Sequence, residues 1–450
     1  MLDIIKKYDT PTPRYTSYPP ATELTEKFTF KDFQARITAS NLRRSPLALY
    51  FHIPFCQNPC YYCGCNTIFS QNKNIAQLYL EYLVKEIENT AKLIDPQREV
   101  VQVHWGGGTP NYLSLSQVEF LWKKITQNFT VNSNAEISIE INPCEVDKEY
   151  IFFLRDLGFN RISFGIQDFN PQVQSAVNRI QPEKKLFDVM DWIKVAGFKS
   201  ANVDLIYGLP YQNLDRFRKT IKKTIQLDPD RIAVFNFAYV PWIKPLQKKI
   251  PVEALPHPQE KLDIFQMTIE ELTNNDYVFI GMDHFAKPHD ELAIAQRNLQ
   301  LKRTFQGYTT HPETELFGFG ATSVSLLEDS YAQNYKKLKD YYQAIKDGIL
   351  PVYRGFQLNR DDIIRREVIV NIMSNFQLCK QDIEEKYHTN FDDYFFRELQ
   401  ALKNLEADGL VHLSSTHIEV TEVGRLLVRN IAVIFDTYIT QKEQKFSRAI

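Results

Sequence analysis

The sequence predicts an α/β fold: a partial (β/α), TIM-like barrel with an N-terminal extended arm and a smaller, mainly helical, winged-helix-like C-terminal domain. Three observations predict it. Short β-branched or aromatic runs alternate with helical patterns through the middle of the chain, several of the runs are apolar on both parities, and the alternation stops near Leu327. The runs that read as strands are Leu49–Ile53, Val100–His104, Ala135–Ile141, Arg161–Ile166, Asn202–Tyr207, Arg231–Phe237 and Tyr277–Gly281. Helical periodicity falls between them at Ala76–Leu93, Ser116–Asn128, Lys148–Leu157, Glu183–Ala196, Leu214–Gln226 and Pro258–Asn274. In such a barrel the chemistry gathers at the carboxyl ends of the strands, so residues just after each strand carry the functional expectation.

The flanks read differently. Pro11, Pro13, Pro19 and Pro20 interrupt regular structure around Arg14–Tyr18, which makes the start of the chain an extended arm. Its two readings are a loose terminus and a segment laid across a pocket. Beyond Leu327 the sequence predicts helices at Tyr331–Lys346 and Asp361–Phe376, then near Asp382–Lys386 and at Tyr394–Ala407. A hairpin of Gly409–Leu413 with His417–Val420 and a final helix from about Thr421 complete a winged-helix-like pattern. Such modules often bind DNA, but the charges here are mixed and no basic stripe stands out, so a lid or docking role is the expectation. The expected division is 1–34, 35–327 and 328–450.

The chain has 450 residues and a formal net charge of −2, so it can bury a large core and carries no global field for nucleic acid or an anionic membrane. No apolar run reaches the roughly 18–20 residues that span a bilayer. The first twenty residues lack an apolar export segment, and a cytoplasmic location is expected.

Four of the six cysteines lie between Cys56 and Cys65, directly after the first strand, in HIPFCQNPCYYCGC. That crowding suits metal or cluster ligation in a reducing compartment better than a disulfide framework. Three thiolates on one loop can hold three corners of an iron–sulfur cube and leave one iron open. The competing reading is zinc with His52 or Cys65 as fourth ligand, against which no second ligand pair is evident. Cys65 is two residues from Cys63, and in an extended stretch the two side chains would point apart. His52 alternates with apolar neighbours and reads as a core histidine. Cys144 and Cys379 stand alone and read as buried free thiols.

The strand ends add polar groups to this loop. His104–Pro110 contains three consecutive glycines, which permit close backbone approach to a ligand. Glu140 ends the apolar run EISIEINP, and a lone carboxylate there demands a partner. Gln167 and Asp168 end the fourth strand, Arg179 follows, Asp204 lies in NVDLIYGLP, and Phe237–Tyr239 end the sixth strand. Arginine suits planar recognition of a carboxylate. Any one of these acids is equally readable as a structural ion pair.

The Cys-x-x-x-Cys-x-x-Cys loop at the end of a first strand resembles the radical S-adenosylmethionine superfamily. With RYTSYP, YFHIPFC, CYYCGCN, HWGGGTP, EISIEINP, GFNRISFGIQDFN, VNR, NVDLIYGLP, FIGMDHFA, FQGYTT, YAQN and GRLLVRNIAVIFDTY, nearly the whole chain resembles the oxygen-independent coproporphyrinogen III oxidases. The resemblance implies one 4Fe-4S cluster per chain held by Cys56, Cys60 and Cys63. It implies S-adenosylmethionine contacts at Tyr50, Tyr62, Gly107, Gly108, Thr109, Glu140, Gln167, Arg179, Asp204, Ala238 and Val324, where the family commonly has isoleucine at the last position. Two molecules of S-adenosylmethionine are expected, some of these residues serving the second. Cys65 matches a family cysteine tied to activity without ligating the cluster, and is the catalytic candidate.

The implied reaction converts the A- and B-ring propionates of coproporphyrinogen III to vinyl groups, giving protoporphyrinogen IX in haem and porphyrin biosynthesis. The implied partners are that substrate and an electron donor such as a flavodoxin-type reductant; no nucleic acid and no membrane are expected, and the chain is expected to be a monomer. Arg14, Arg161, Arg297 and Arg303 are candidates for the substrate carboxylates, each more readily read as a solvated charge; Asp283 and His284 have no assigned role. The rivals are a haem-binding relative without oxidase activity, a haem-degrading methyltransferase relative, and a zinc-dependent nucleic-acid-binding protein.

Overall fold

The computed structural model describes residues 4, 7, 8 and 10–439. The remaining residues of the expected arm and C-terminal domain, at 1–3, 5, 6, 9 and 440–450, lie outside this description. Two compact units are present, one built from Thr25–Tyr277 with Glu313–Phe356, the other from Met1–Leu24, Val278–Pro312 and Gln357–Ile450. Both are therefore discontinuous in sequence, whereas the pattern-based division into 1–34, 35–327 and 328–450 is contiguous.

The larger unit is the partial (β/α) barrel. Its first six parallel strands are β1 (Leu47–Ile53), β2 (Val100–Gly107), β3 (Val131–Ile141), β4 (Arg161–Gln167), β5 (Ser200–Tyr207) and β6 (Arg231–Asn236), paired in that order. A seventh strand, β7 (Glu315–Phe319), pairs in parallel on the other side of β1. Antiparallel strands Val324–Leu327 and Ser330–Asn334 extend the sheet beyond it. β1 is buried along nearly its whole length, as a strand covered on both faces requires. Phe51 stacks on Phe319 at 5.1 Å between centroids, and Trp105 meets Phe159 edge-on at 5.4 Å. Each buried ring of this kind stabilises the core by about 1.5–3 kcal/mol.

The helices follow local rules. Leu214–Leu227 starts at Asn213, whose side chain accepts from the Arg216 amide at 2.9 Å. It buries Phe217, Thr220, Ile221, Thr224 and Leu227, one face at helical spacing. Leu115–Asn128 opens with a capping box between Ser114 and Gln117. Helix Ile75–Ala91 buries Glu86, which accepts from Asn334 at 2.6 Å, Tyr341 at 2.6 Å and the Gly320 amide at 2.8 Å. Burial pushes the Glu86 carboxyl up to about 7 against those three donors. It thereby fixes the turn between β7 and Val324–Leu327.

Three expected elements differ. The run Tyr277–Gly281 is not a further parallel strand: Val278–Gly281 forms an antiparallel hairpin with His284–Ala286 at the edge of the sheet. Gly281 at φ +130° and Met282 at φ 55° turn the chain back too soon for a crossover helix. The helix expected over 331–346 is strand Ser330–Asn334 followed by helix Leu338–Lys346, because Ser330–Ala332 pair across the sheet with Ser325–Leu327. The final helix is broken at Leu427 into Glu422–Leu426 and Val428–Ala432.

In the smaller unit, Gln377–Cys379, Val411–Leu413 and His417–Val420 form a three-stranded wing beside helices Lys380–Tyr387 and Phe396–Ala407. The arm is anchored there. Tyr15 donates to Asp436 at 2.9 Å, the Tyr18 hydroxyl meets Thr437 at 3.1 Å, and Arg429 donates to the Pro13 carbonyl at 3.0 Å. Both tyrosines are buried, so the loose-terminus reading fails for residues 12–18. Among the described residues no helix is long and apolar enough to cross a membrane.

Candidate active site

The cysteine loop leaves the end of β1 and is tied down by its backbone, which leaves its sulfurs available. Phe55–Cys56 pairs in parallel with Ile68–Phe69, closing the loop at its base. The Tyr61 amide donates to the Val177 carbonyl at 3.0 Å, and the Asn178 side chain donates to the Pro59 carbonyl at 2.6 Å. From the segment after β6, Lys244 donates to the Cys65 carbonyl at 3.1 Å and Gln247 to the Tyr62 carbonyl at 3.4 Å. Asn178 was read only within VNR beside Arg179, and Lys244 and Gln247 were not singled out by sequence. The last two lie in a proline-bounded segment with no periodicity to mark it.

Cys56 Sγ lies 3.2 Å from Thr109 Oγ1, and Arg179 Nη1 lies 3.7 Å from Cys60 Sγ. Burial pushes the Cys56 thiol up to about 12, with the Thr109 contact opposing. A hydrogen bond from Cys65 draws the Cys63 thiol down to about 6, and the same bond pushes the Cys65 thiol well up. Residues 61–65 form a turn and bend around Gly64, so strand alternation does not govern them. Among the described residues no group of three or more His, Cys, Asp or Glu side chains is arranged to hold a metal ion. A cube binds its ligands at separate irons, so thiols around it need not converge.

The strand ends face this loop with polar groups. Gly107, at φ +116°, donates its amide to Glu140 Oε2 at 3.1 Å. A Cβ on Gly107 would lie 2.5 Å from the His52 ring, and one on Gly108 2.7 Å from the Pro54 carbonyl carbon, so the cradle admits only glycine. Burial pushes the Glu140 carboxyl up, but the His104 contact at 3.4 Å and the Gly107 amide outweigh it and hold the carboxyl below its ordinary range. Tyr50 stacks on His104 at 5.8 Å and its hydroxyl meets His52 Nδ1 at 3.0 Å. His52 Nε2 meets the Asn66 carbonyl at 3.2 Å, so both its nitrogens are used inside the core.

β4 ends at Gln167, a non-glycine residue at φ 67° whose Oε1 is buried without a partner. Arg179 donates from Nη2 to the Gly165 carbonyl at 3.2 Å, yet its buried Nε has no partner. On β6, Asn236 Oδ1 is also buried and unpartnered. Burial pushes the Asp204 carboxyl up to about 7 although Asn202 donates to it at 2.9 Å. Asp168, by contrast, is fully satisfied by Gln212 at 2.6 Å, Thr220 at 2.8 Å and the Asn170 amide at 2.7 Å, a structural acid.

Tyr62 packs against Val177, Phe237 and their neighbours, and the Ala238 carbonyl accepts from Gln247 at 3.1 Å. Val324 is placed by register: Tyr50 pairs with Gly318, and a Cβ on Gly318 would lie 2.6 Å from the Val324 carbonyl oxygen. These residues thus surround one end of the sheet, with three thiols, a glycine cradle and buried polar atoms lacking partners. Such a donor set fits an iron–sulfur cluster and a polar organic cofactor.

Three further expectations, for Arg161, Cys144 and Cys379, differ from the geometry. Arg161 begins β4, at the opposite end of the strands, and pairs with Glu136 at 2.8 Å. Arg14, Arg297 and Arg303 belong to the smaller unit and stay candidates for a carboxylate. Cys144 is exposed rather than buried, because it sits in the turn Pro143–Glu145 after β3, and Cys379 is half-buried.

Fold and site together define a radical S-adenosylmethionine enzyme. A profile of the Radical SAM superfamily matches residues 50–224, and one described as the HemN C-terminal domain matches 358–427. An oxygen-independent coproporphyrinogen III oxidase of Synechocystis sp. is 61% identical across 100% of this chain and 97% of its own length. The Escherichia coli protein of the same description is 48% identical across 100% and 98%. The solved structure of coproporphyrinogen III oxidase from Escherichia coli superposes with a TM-score of 0.93 at 47% identity, covering 98% of this chain and 99% of that one. The chain belongs to the oxygen-independent coproporphyrinogen III oxidase family.

Proposed function

We propose that the chain performs oxygen-independent oxidative decarboxylation of the A- and B-ring propionates of coproporphyrinogen III, giving the two vinyl groups of protoporphyrinogen IX in haem biosynthesis. The observation that carries this reading is the meeting of three thiols with unpartnered buried atoms of Gln167, Arg179 and Asn236 at one end of the sheet, in a chain of this family. A 4Fe-4S cluster with S-adenosylmethionine supplies a carbon-centred radical able to remove hydrogen from an unactivated propionate β-carbon.

The protein's own part is to hold, orient and exclude water. Cys56, Cys60 and Cys63 hold the cluster, with Thr109 and Arg179 beside the first two sulfurs. Gly107 and Gly108 open backbone space for the methionyl amino group, and Arg179 takes the methionyl carboxylate. Glu140, kept ionised by His104 and Gly107, accepts from the ribose hydroxyls. Tyr62 packs beside the adenine, while Tyr50, Gln167, Asp204, Ala238 and Val324 line the remaining cofactor space. A second S-adenosylmethionine shares some of these contacts. The chain works as a monomer with a flavodoxin-type electron donor.

The test is anaerobic turnover of coproporphyrinogen III with S-adenosylmethionine and a one-electron reductant, following protoporphyrinogen and 5′-deoxyadenosine. Cofactor cleavage without protoporphyrinogen would favour the haem-binding or methyltransferase relatives. Cys65→Ser sharpens the reading: the variant keeps about four irons per chain and loses turnover. Loss of iron instead would make Cys65 a ligand.

A further inference from the structure

Outside the cofactor site, the most buried arginines of the described residues are mostly paired. Arg98 pairs with Glu315 at 2.6 Å, Arg161 with Glu136 at 2.8 Å and Arg365 with Glu398 at 2.7 Å, while Arg429 donates to the carbonyls of Thr12 and Pro13. Arg303 is 7% exposed, makes no ion pair among the described residues, and leaves Nε and Nη1 buried without acceptors. A buried guanidinium with open donors is costly unless an anion completes it.

Its surroundings are shaped for such an anion. Arg303 and Tyr308 are opposite each other on the hairpin Lys302–Thr304 and Gly307–Thr309, with the guanidinium 4.9 Å from the Tyr308 ring centre. The Tyr308 hydroxyl is buried and has no partner beyond the Arg303 guanidinium beside it. It lies against the Gly281 turn, where a Cβ would come within 2.9 Å of it. His284 meets the Tyr308 ring edge-on at 5.1 Å. Asp283, the residue before His284, is engaged by Arg14. With that pair neutral, the cluster keeps one uncompensated positive charge and two kinds of open donor, guanidinium N–H and phenol O–H.

We propose that Arg303 and Tyr308 form a carboxylate-binding site within the smaller unit. The guanidinium fork and the phenol recognise one carboxylate, by the planar geometry arginine favours. Two sources share that chemistry under the proposed function, on which the choice of occupant rests: a propionate of the tetrapyrrole, and the methionyl carboxylate of a second S-adenosylmethionine.

The experiment uses reconstituted holoenzyme of wild type, Arg303→Gln, Arg303→Lys and Tyr308→Phe. One arm titrates coproporphyrin III, the unreactive oxidised tetracarboxylate, against its tetramethyl ester. The other counts bound S-adenosylmethionine by equilibrium dialysis. Arg303→Gln is expected either to weaken coproporphyrin III at least tenfold without changing the ester, or to lose one of two cofactor equivalents. Arg303→Lys should recover part of the loss, and Tyr308→Phe should show a smaller one.

A stability readout separates this role from a structural one. Arg303→Gln should leave the melting temperature of the ligand-free protein unchanged or raised, whereas Arg365→Gln lowers it. Unchanged affinity and stoichiometry in Arg303→Gln, or a melting loss matching Arg365→Gln, overturns the site. Failure of the wild type to turn over coproporphyrinogen III overturns the proposed function instead, while the cofactor count and the melting comparison still judge the site.

Discussion

The two ends of the parallel sheet use the same residue types in opposite ways. At the amino ends, charges are closed into pairs: Arg98 and Arg43 both reach Glu315, and Arg161 with Gln102 satisfies Glu136. At the carboxyl ends, Gln167 Oε1, Arg179 Nε and Asn236 Oδ1 stay buried without partners, and Asp204 is driven toward its neutral form by burial. Folding alone gains from the first arrangement and loses from the second. The difference teaches that a strand's amino end is built for stability and its carboxyl end for a ligand that supplies the missing partners.

This contrast can be broken by exchanging the consequences. The largest effect is expected from Cys60→Ala, which removes one of the three proposed ligands. Turnover should fall by at least ~10³-fold, since the radical step has no substitute, and iron content should drop well below about four per chain. Retention of iron and activity would remove Cys60 from the ligand set. The fold itself should persist, because the loop is held by its backbone rather than by its sulfurs.

Next comes the opposite end. Arg98 and Glu315 side chains are 0% and 5% exposed, so Glu315→Gln leaves a buried guanidinium underpaired and should cost about 3–5 kcal/mol. Chemical denaturation would read that loss, and the affinity for S-adenosylmethionine should not move. Burial pushes the Glu315 carboxyl up, but Arg43 and Arg98 outweigh it and hold the group below its ordinary value. Its stabilisation is therefore complete above the unfolded-state pKa of about 4.3 and is lost as pH falls through the depressed folded value. Melting temperature should fall with acid in the wild type and respond less in Glu315→Gln.

The smallest effect concerns Glu140→Gln. One charge-assisted acceptor becomes a neutral one, and the cofactor should bind about tenfold more weakly, equivalent to about 1.4 kcal/mol. Stability should hardly change, which calorimetry and a binding titration on the same sample would establish. A large stability loss with unchanged affinity would move Glu140 into the same class as Glu315.

Much of the site was legible because it is local. Cys56, Cys60 and Cys63 share one loop, the glycines are consecutive, and Glu140, Gln167 and Asp204 stand out as polar residues in apolar runs. What was illegible depends on where the chain returns. Arg161 read as a candidate for the substrate carboxylates until its pairing with Glu136 showed a structural partner at the amino end of β4. Asn178, Lys244 and Gln247 hold the cysteine loop from segments more than about a hundred residues away; Asn178 adjoins Arg179, but nothing local marks Lys244 or Gln247.

By itself the sequence determined the alternation of strand and helix, the thiol triplet and the polar strand ends, since these rest on periodicity and adjacency. Only the tertiary structure decided that Tyr277–Gly281 turns into a hairpin and that β7 completes the parallel run beside β1. It alone also decided which buried polar atoms remain open. A hydrogen bond is satisfied or left open only when distant segments have packed, and residue identity does not encode that outcome.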